Sequence, residues 1–367
     1  MNRPTAVSFL WLLFLSAFAA EQDTIELEKF NSPLASPDEI ATRIVKKPIY
    51  PISVHAVAFS PNSRTLASGD GTGQVRLWEV NTGKLIRDFR AHSNWVFTIK
   101  WTHDGSSIIT GGGDNLIHWF DTANPGVPAR TIHAHSNDVH AIALTRDGKT
   151  LYSAGDDRQV VFWDLKRDAL KQRFIAHDRQ IPTIVLSPNE KLLASGSRDH
   201  SIRIWDANDG ALRQTLLGHT SDVMALSFAP KGSFLASAGW DSTVQIWDLD
   251  QGKAVRVLQI STNLVSGVAF SPNGKRLVAS SGPELRLFEV ADGKLLWRSE
   301  FNSVIRANGM DTTEDLSSVI FSPNGKFIAV GSTTGSVYLV SPESGKVIRK
   351  FTWLSSLPAT SESDGKH

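Results

Sequence analysis

The chain has 367 residues, 41% of them apolar, with 38 basic and 37 acidic side chains and no cysteine. This near-neutral balance exerts no bulk pull toward nucleic acid or anionic lipid. The lack of cysteine excludes disulfides, thiolate metal sites, a thiol nucleophile and a lipid-modified N-terminal cysteine, so stability has to come from packing, which a chain of this length can supply.

Residues 1–19 read as an export leader. Arg3 gives a positive start, residues 6–18 form an apolar run too short to span a bilayer comfortably, and Ala17 and Ala19 place small residues where a signal peptidase needs them. Cleavage is expected after Ala19, which removes Arg3 and leaves no net formal charge. No later segment approaches membrane length. The expectation is a secreted or periplasmic protein with no integral membrane span after cleavage. Residues 20–41 form an N-terminal extension of mixed composition without a clear period.

From Tyr50 onward one pattern repeats. In chain order it runs through Trp78 (VRLWEV), Phe120 (IHWFDT), Trp163 (VVFWDL), Trp205 (IRIWDA), Trp247 (VQIWDL), Phe288 (LRLFEV) and Val340 (SVYLVSP), about 42 residues apart. The last interval is longer by about ten residues, an insertion placed at 303–314 that includes Arg306 and Asp311 and is read as a flexible loop. His92, His135, His177 and His219 keep the same beat in Ala-His or Gly-His pairs. Ser-Pro-Asn turns recur at 60–62, 187–189, 271–273 and 322–324, between alternating runs such as HAVAF and TLASG. Each period therefore holds four short β runs. One such sheet cannot bury both of its faces, whereas seven packed around an axis can. Helical periodicity is nearly absent.

The Gly/Ala-His start, the Trp-Asp end and the spacing resemble the WD40-repeat family over about 50–351. The resemblance implies an all-β fold, a seven-bladed β-propeller of four-stranded antiparallel blades assigned to 42–353, in an exported, bacterial member. Tyr50, Ser261 and Thr312 stand where the His belongs, and the last repeat lacks Trp-Asp, so blades 1, 6 and 7 are expected to be less regular. Two segments compete for the outer strand of the last blade: TRIVKK at 42–47 and KVIRKF at 346–351. Residues 354–367, Ser-rich and polar, are expected to be a disordered tail.

The resemblance also implies a buried hydrogen-bonded tetrad in each regular blade. Three full sets carry over: His135, Ser153, Asp157, Trp163; His177, Ser195, Asp199, Trp205; and His219, Ser237, Asp241, Trp247. A fourth set, His92, Thr110 and Asp114, has Phe120 in place of Trp and lacks the indole donor. A Ser-His-Asp catalytic reading is disfavoured because the trio recurs blade after blade and no Gly-x-Ser-x-Gly elbow frames any of the serines. The spaced histidines belong to different blades and form no His-x-x-x-His pair, so no metal site and no cofactor are expected.

In the WD40 family the narrower face of the ring is the favoured binding surface. The positions that line it are the residue before the tetrad Asp, here Gly113, Asp156, Arg198 and Trp240, and the start of the innermost strand, here Ser53, Trp95, Asp138, Gln180 and Asp222. Phe97, His140 and Met224 follow two residues further on. Trp95, Trp240 and Arg198 are residue types enriched among binding hot spots. The function expected from this resemblance is a non-enzymatic, monomeric scaffold that binds a protein or peptide and no nucleic acid. A glycan-binding propeller and an exported propeller enzyme are the alternatives.

Overall fold

The computed structural model describes residues 53–260, 263–301, 304–307 and 310–352. The leader, the extension at 20–41, the strand candidate at 42–47 and the tail at 354–367 lie outside the described residues. Among the described residues no helix is present, and so none long and apolar enough to cross a membrane.

Seven four-stranded antiparallel sheets follow one another along the chain, at 54–90, 96–132, 139–175, 183–217, 223–259, 265–300 and 316–351, here blades 1 to 7. In every blade the strands lie in sequence order. The innermost strands are Val54–Phe59, Val96–Trp101, Val139–Leu144, Thr183–Leu186, Val223–Phe228, Val265–Phe270 and Leu316–Phe321. Each packs against the next, and the last packs against the first. The all-β, seven-bladed propeller expected from the repeat is the fold observed.

The apolar core is divided among the junctions between blades. At the junction of blades 5 and 6, Val244 and Ile246 meet Val265, Val268 and Phe288. At the junction of blades 7 and 1, Leu339 and Phe351 meet Val54 and Trp78. Close approach depends on small residues in the second strand of each blade. A Cβ on Gly69 would stand 2.6 Å from Cγ1 of Val96 in the neighbouring blade, so no larger residue fits there without displacement. Burial falls from the axis outward: Phe234–Gly239 is almost wholly buried, whereas the outer strand Lys253–Gln259 alternates exposed and half-buried residues, as an edge strand with one packed face should.

Of the two segments competing for the last outer strand, the C-terminal one occupies it: Val347–Phe351 pairs with Val337–Val340, with Val337 opposite Phe351. Each blade is thus cut from one continuous stretch of chain, and side chains hold the closing junction. The Arg349 guanidinium donates to the carbonyls of Asn81 (2.7 Å) and Thr82 (2.8 Å) in blade 1. Ser53 donates to the Thr333 carbonyl at 3.1 Å, Ser317 donates to the Val54 carbonyl, and the rings of Trp78 and Phe351 lie 5.6 Å apart.

Two sequence expectations need correction. The insertion after blade 6 is a two-stranded antiparallel hairpin, Val304–Ala307 against Met310–Thr313, with Arg306 opposite Asp311. Backbone pairing gives that segment a regular path in place of a structureless loop. Blades 1, 6 and 7 are as complete in their strands as the others; they differ in their polar centres. In blade 1, Asp70 is buried in an ion pair with Arg76, while Trp78 donates to Ser68 Oγ at 2.9 Å. In blade 7, buried Glu314 accepts from the hydroxyls of Thr334 (2.5 Å) and Tyr338 (2.8 Å).

Candidate functional site

Two polar systems have to be told apart: one inside the blades, the other at their mouth. Inside blade 4, Trp205 Nε1 donates to Ser195 Oγ (2.8 Å), Ser195 Oγ lies 2.7 Å from His177 Nε2, and His177 Nδ1 lies 2.9 Å from Asp199. A carboxylate only accepts, so Nδ1 carries the proton, Nε2 accepts from the hydroxyl, and the hydroxyl accepts from the indole. Blade 5 repeats the arrangement through Trp247, Ser237, His219 and Asp241 at 2.8, 2.6 and 2.8 Å. Blade 2 has the shorter relay, Thr110, His92 and Asp114.

Blade 3 joins His135 to Ser153 (2.7 Å) and to Asp157 (2.9 Å), but the Trp163 indole N–H finds no acceptor. The four-membered set expected there is a three-membered one. The Trp163 ring instead serves packing, in the apolar cluster shared with Ile109, Ile132 and Val139.

The relay carboxylates also accept from the backbone N–H that follows each His, at Ser93, Ser136, Asp178 and Thr220, tying the incoming strand to the turn. Burial works to raise these four carboxyls. The hydrogen bonds and the neighbouring imidazole outweigh it and hold all of them below the usual carboxylate range. Ser153, Ser195 and Ser237 are 2%, 0% and 0% exposed, out of reach of any substrate. The relays maintain shape.

The second system lies where the connections between blades and the hairpins joining second and third strands meet. The two sets of face positions named from the sequence are physically coupled there. Gly71, Gly113, Asp156, Arg198 and Trp240 donate their backbone N–H to the carbonyls of Ser53, Trp95, Asp138, Gln180 and Asp222, at 2.9–3.0 Å. The residues two positions further on, His55, Phe97, His140 and Met224, are the extra residues of β-bulges in their innermost strands. A bulge leaves a residue out of the ladder and re-aims its side chain.

These side chains, all half-buried, form a belt across blades 1 to 5. The rings of His55 and Trp95 are 4.4 Å apart, Trp95 stacks on Phe97 at 5.7 Å, and Phe97 meets His140 at 4.2 Å. His140 Nε2 is 2.9 Å from Asp156 Oδ1. Arg198 Nε is 3.8 Å from Asp222 Oδ2, and its guanidinium carbon is 5.8 Å from the centre of the Trp240 ring. The arginine therefore bridges toward blade 5, although its charge also reaches Asp156. Trp95 leans over Gly71 of blade 1, with ring atoms 3.7–3.8 Å from where a Cβ would stand. Gln180 and Met224 are half-buried in the same row.

The charges of the belt are unevenly compensated. Burial pushes Asp138 up against the pull of His140, and the negative charge of Asp156 adds to the rise. Asp222 is also raised by burial, despite Arg198 and His200. Asp156 is burdened by burial, but contact with His140 and the charge of Arg198 bring it below the usual range. His55 is pushed down to about 4 by burial and by His140, and is neutral at pH 7. His55 and His200 were not among the sequence candidates. His55 stands two residues after Ser53, as Phe97 stands after Trp95, and carrying that register back to blade 1 finds it.

Known proteins share this repeat. The family model described as the WDHD1 first WD40 domain matches residues 90–361, and that of the anaphase-promoting complex subunit 4 WD40 domain matches 15–104. The chain is 36% identical over 74 residues to pre-rRNA-processing protein IPI3 of Mycosarcoma maydis, covering 20% of this chain and 13% of that protein. It is 34% identical over 74 residues to autophagy-related protein 16 of Arabidopsis thaliana, covering 20% and 14%. It is 39% identical over 66 residues to pre-mRNA-processing factor 17 of Homo sapiens, covering 18% and 11%. The chain thus matches only a small part of the length of these relatives. They are eukaryotic and lend no support to a bacterial origin. With most of the blades inside one family match and seven four-stranded sheets closed into a ring, the chain belongs to the WD40-repeat β-propeller family.

Proposed function

We propose that this protein is a non-enzymatic scaffold that binds a protein or peptide partner on the narrow face of the propeller, in a secreted or periplasmic setting reached through the leader at 1–19. The observation that carries the reading is the belt itself. Trp95, Phe97, His140, Asp156, Arg198 and Trp240 are half-buried on bulges and clamped turns of a rigid ring, and rigid aromatic and arginine side chains in such positions make binding anchors. The relatives bear names from rRNA processing, mRNA processing and autophagy. These names share no single reaction, which favours recognition over catalysis as the use of the matched repeats.

The test is photocrosslinking in the native host from a probe at Met224 in blade 5, with a second probe at Lys275, in the turn joining the first two strands of blade 6. Capture of one defined protein from Met224 and not from Lys275 supports the reading. Equal capture from both positions, or none from Met224, removes the narrow face. Sequencing the N-terminus of the protein recovered outside the cytoplasm checks export and cleavage after Ala19.

A further inference from the structure

We infer that Asp138, His140 and Asp156, at the mouth of blade 3, form a binding site for one divalent transition-metal ion, with zinc as the representative. Each of the three offers a ligand atom, and these atoms lie within 4.8 Å of one another. Zinc binds imidazole nitrogen and carboxylate oxygen at about 2.0–2.2 Å, so small rotations of half-buried side chains bring all three onto one ion.

The approach of His140 to Asp156 points the same way. Nε2 and Oδ1 are 2.9 Å apart, so an imidazole nitrogen and a carboxylate oxygen already stand side by side at the mouth. The Asp138 carboxylate makes no ion pair among the described residues and lies within reach of both His140 and Asp156.

The backbone builds the site in advance. The N–H of Asp156 donates to the carbonyl of Asp138 at 3.0 Å. Gly155 permits this approach, because a Cβ there would stand 1.9 Å from the Asp138 oxygen. The bulge at His140 takes its side chain out of the ladder, and the Phe97 ring packs against it. Ligand positions are therefore set by strand and turn and do not have to be assembled from a flexible loop.

A second cluster, His92, Asp114 and His118, fails the same reading. Both nitrogens of His92 are engaged with Asp114 and Thr110, and His118 Nδ1 contacts Thr131. One imidazole with two carboxylates is a borderline donor set that suits zinc, cobalt or manganese. Three protein ligands leave coordination positions for water or for a group brought by another molecule.

The experiment uses untagged protein alone, so its outcome does not depend on any protein partner. Zinc uptake is measured by calorimetry and by metal analysis after dialysis, and cobalt is used as a visible-absorption probe. The expected result is one zinc per chain, with affinity reduced more than tenfold in His140→Ala and in Asp156→Asn and retained in His118→Ala. The conservative Asp138→Asn guards against misfolding and is expected to weaken binding while circular dichroism stays unchanged. Absence of stoichiometric uptake overturns the inference. So does uptake unchanged by His140→Ala, or uptake lost only in His118→Ala.

Discussion

The Arg349 guanidinium, on the last strand of the ring, donates to the carbonyl of Thr82 in the first blade at 2.8 Å. Arg256 makes the same reach from blade 5 to blade 6, to the carbonyls of Ala291 and Asp292 at 2.8 and 2.7 Å. Each charged donor of this kind contributes about 1–2 kcal/mol net. If the closing junction is the weakest link, Arg349→Ala lowers the urea midpoint more than Arg256→Ala, at unchanged m-value. Equal losses mean that closure is no weaker than any other junction.

The relays make a second comparison possible. Trp205 donates to Ser195, whereas Trp163 makes no such bond to Ser153. Trp205→Phe is expected to cost about 1–3 kcal/mol, leaving the Ser195–His177 pair without its donor. Trp163→Phe keeps most of the packing and loses no hydrogen bond, so its cost should be smaller by about 1 kcal/mol. Chemical denaturation of both variants measures the difference, and the reverse order would contradict the geometry.

At the mouth, Trp95→Ala and Trp240→Ala are each expected to weaken partner binding by roughly 2 kcal/mol while the ring stays folded. Calorimetry against the captured partner provides the number, and thermal melts provide the control. Affinity unchanged in both variants removes these rings as anchors.

Acid should unfold the protein in two stages. Burial lowers His118 and His219 below the ordinary histidine value, against the pull of nearby carboxylates. Below about pH 6.5 the unfolded chain takes up protons that the folded chain refuses, so stability falls as pH drops from there. The relay carboxylates Asp114, Asp157, Asp199 and Asp241 are depressed in the fold. Their contribution is complete above about pH 4, the unfolded carboxylate value, and is lost as pH falls through the folded values. Melting temperature is expected to decline below about pH 6.5 and more steeply below about pH 4. A melting temperature that rises between pH 7 and pH 5 would count against this assignment.

Much of this molecule is written in its repeat. The beat of Trp163, Trp205 and Trp247 leads to stacked four-stranded sheets, because one such sheet cannot bury both of its faces. The pairing of Asp156 with Asp138 was implicit in two separate sets of face positions, joined only by a backbone hydrogen bond that no residue type announces. The bulge that aims His140 is equally silent in sequence, since an unpaired residue carries no special side chain. The closing strand could not be chosen because 42–47 and 346–351 are both short, β-prone and basic. The hairpin at 304–313 did have a signal, Asn308-Gly309, the strongest short mark of a two-residue turn. The failure of the Trp163 hydrogen bond is a matter of ring placement within an unchanged motif, beyond what residue identity can express.

That every sheet comes from an uninterrupted stretch has an evolutionary and practical consequence. A chain opened at any of the segments joining neighbouring sheets, with its original ends linked, would still carry all its ladders intact. Such rearranged genes should yield folded rings, and gain or loss of a whole module during descent would never strand half a sheet. What limits module number is the angle each wedge takes up around the axis, a limit set by the small side chains between the wedges.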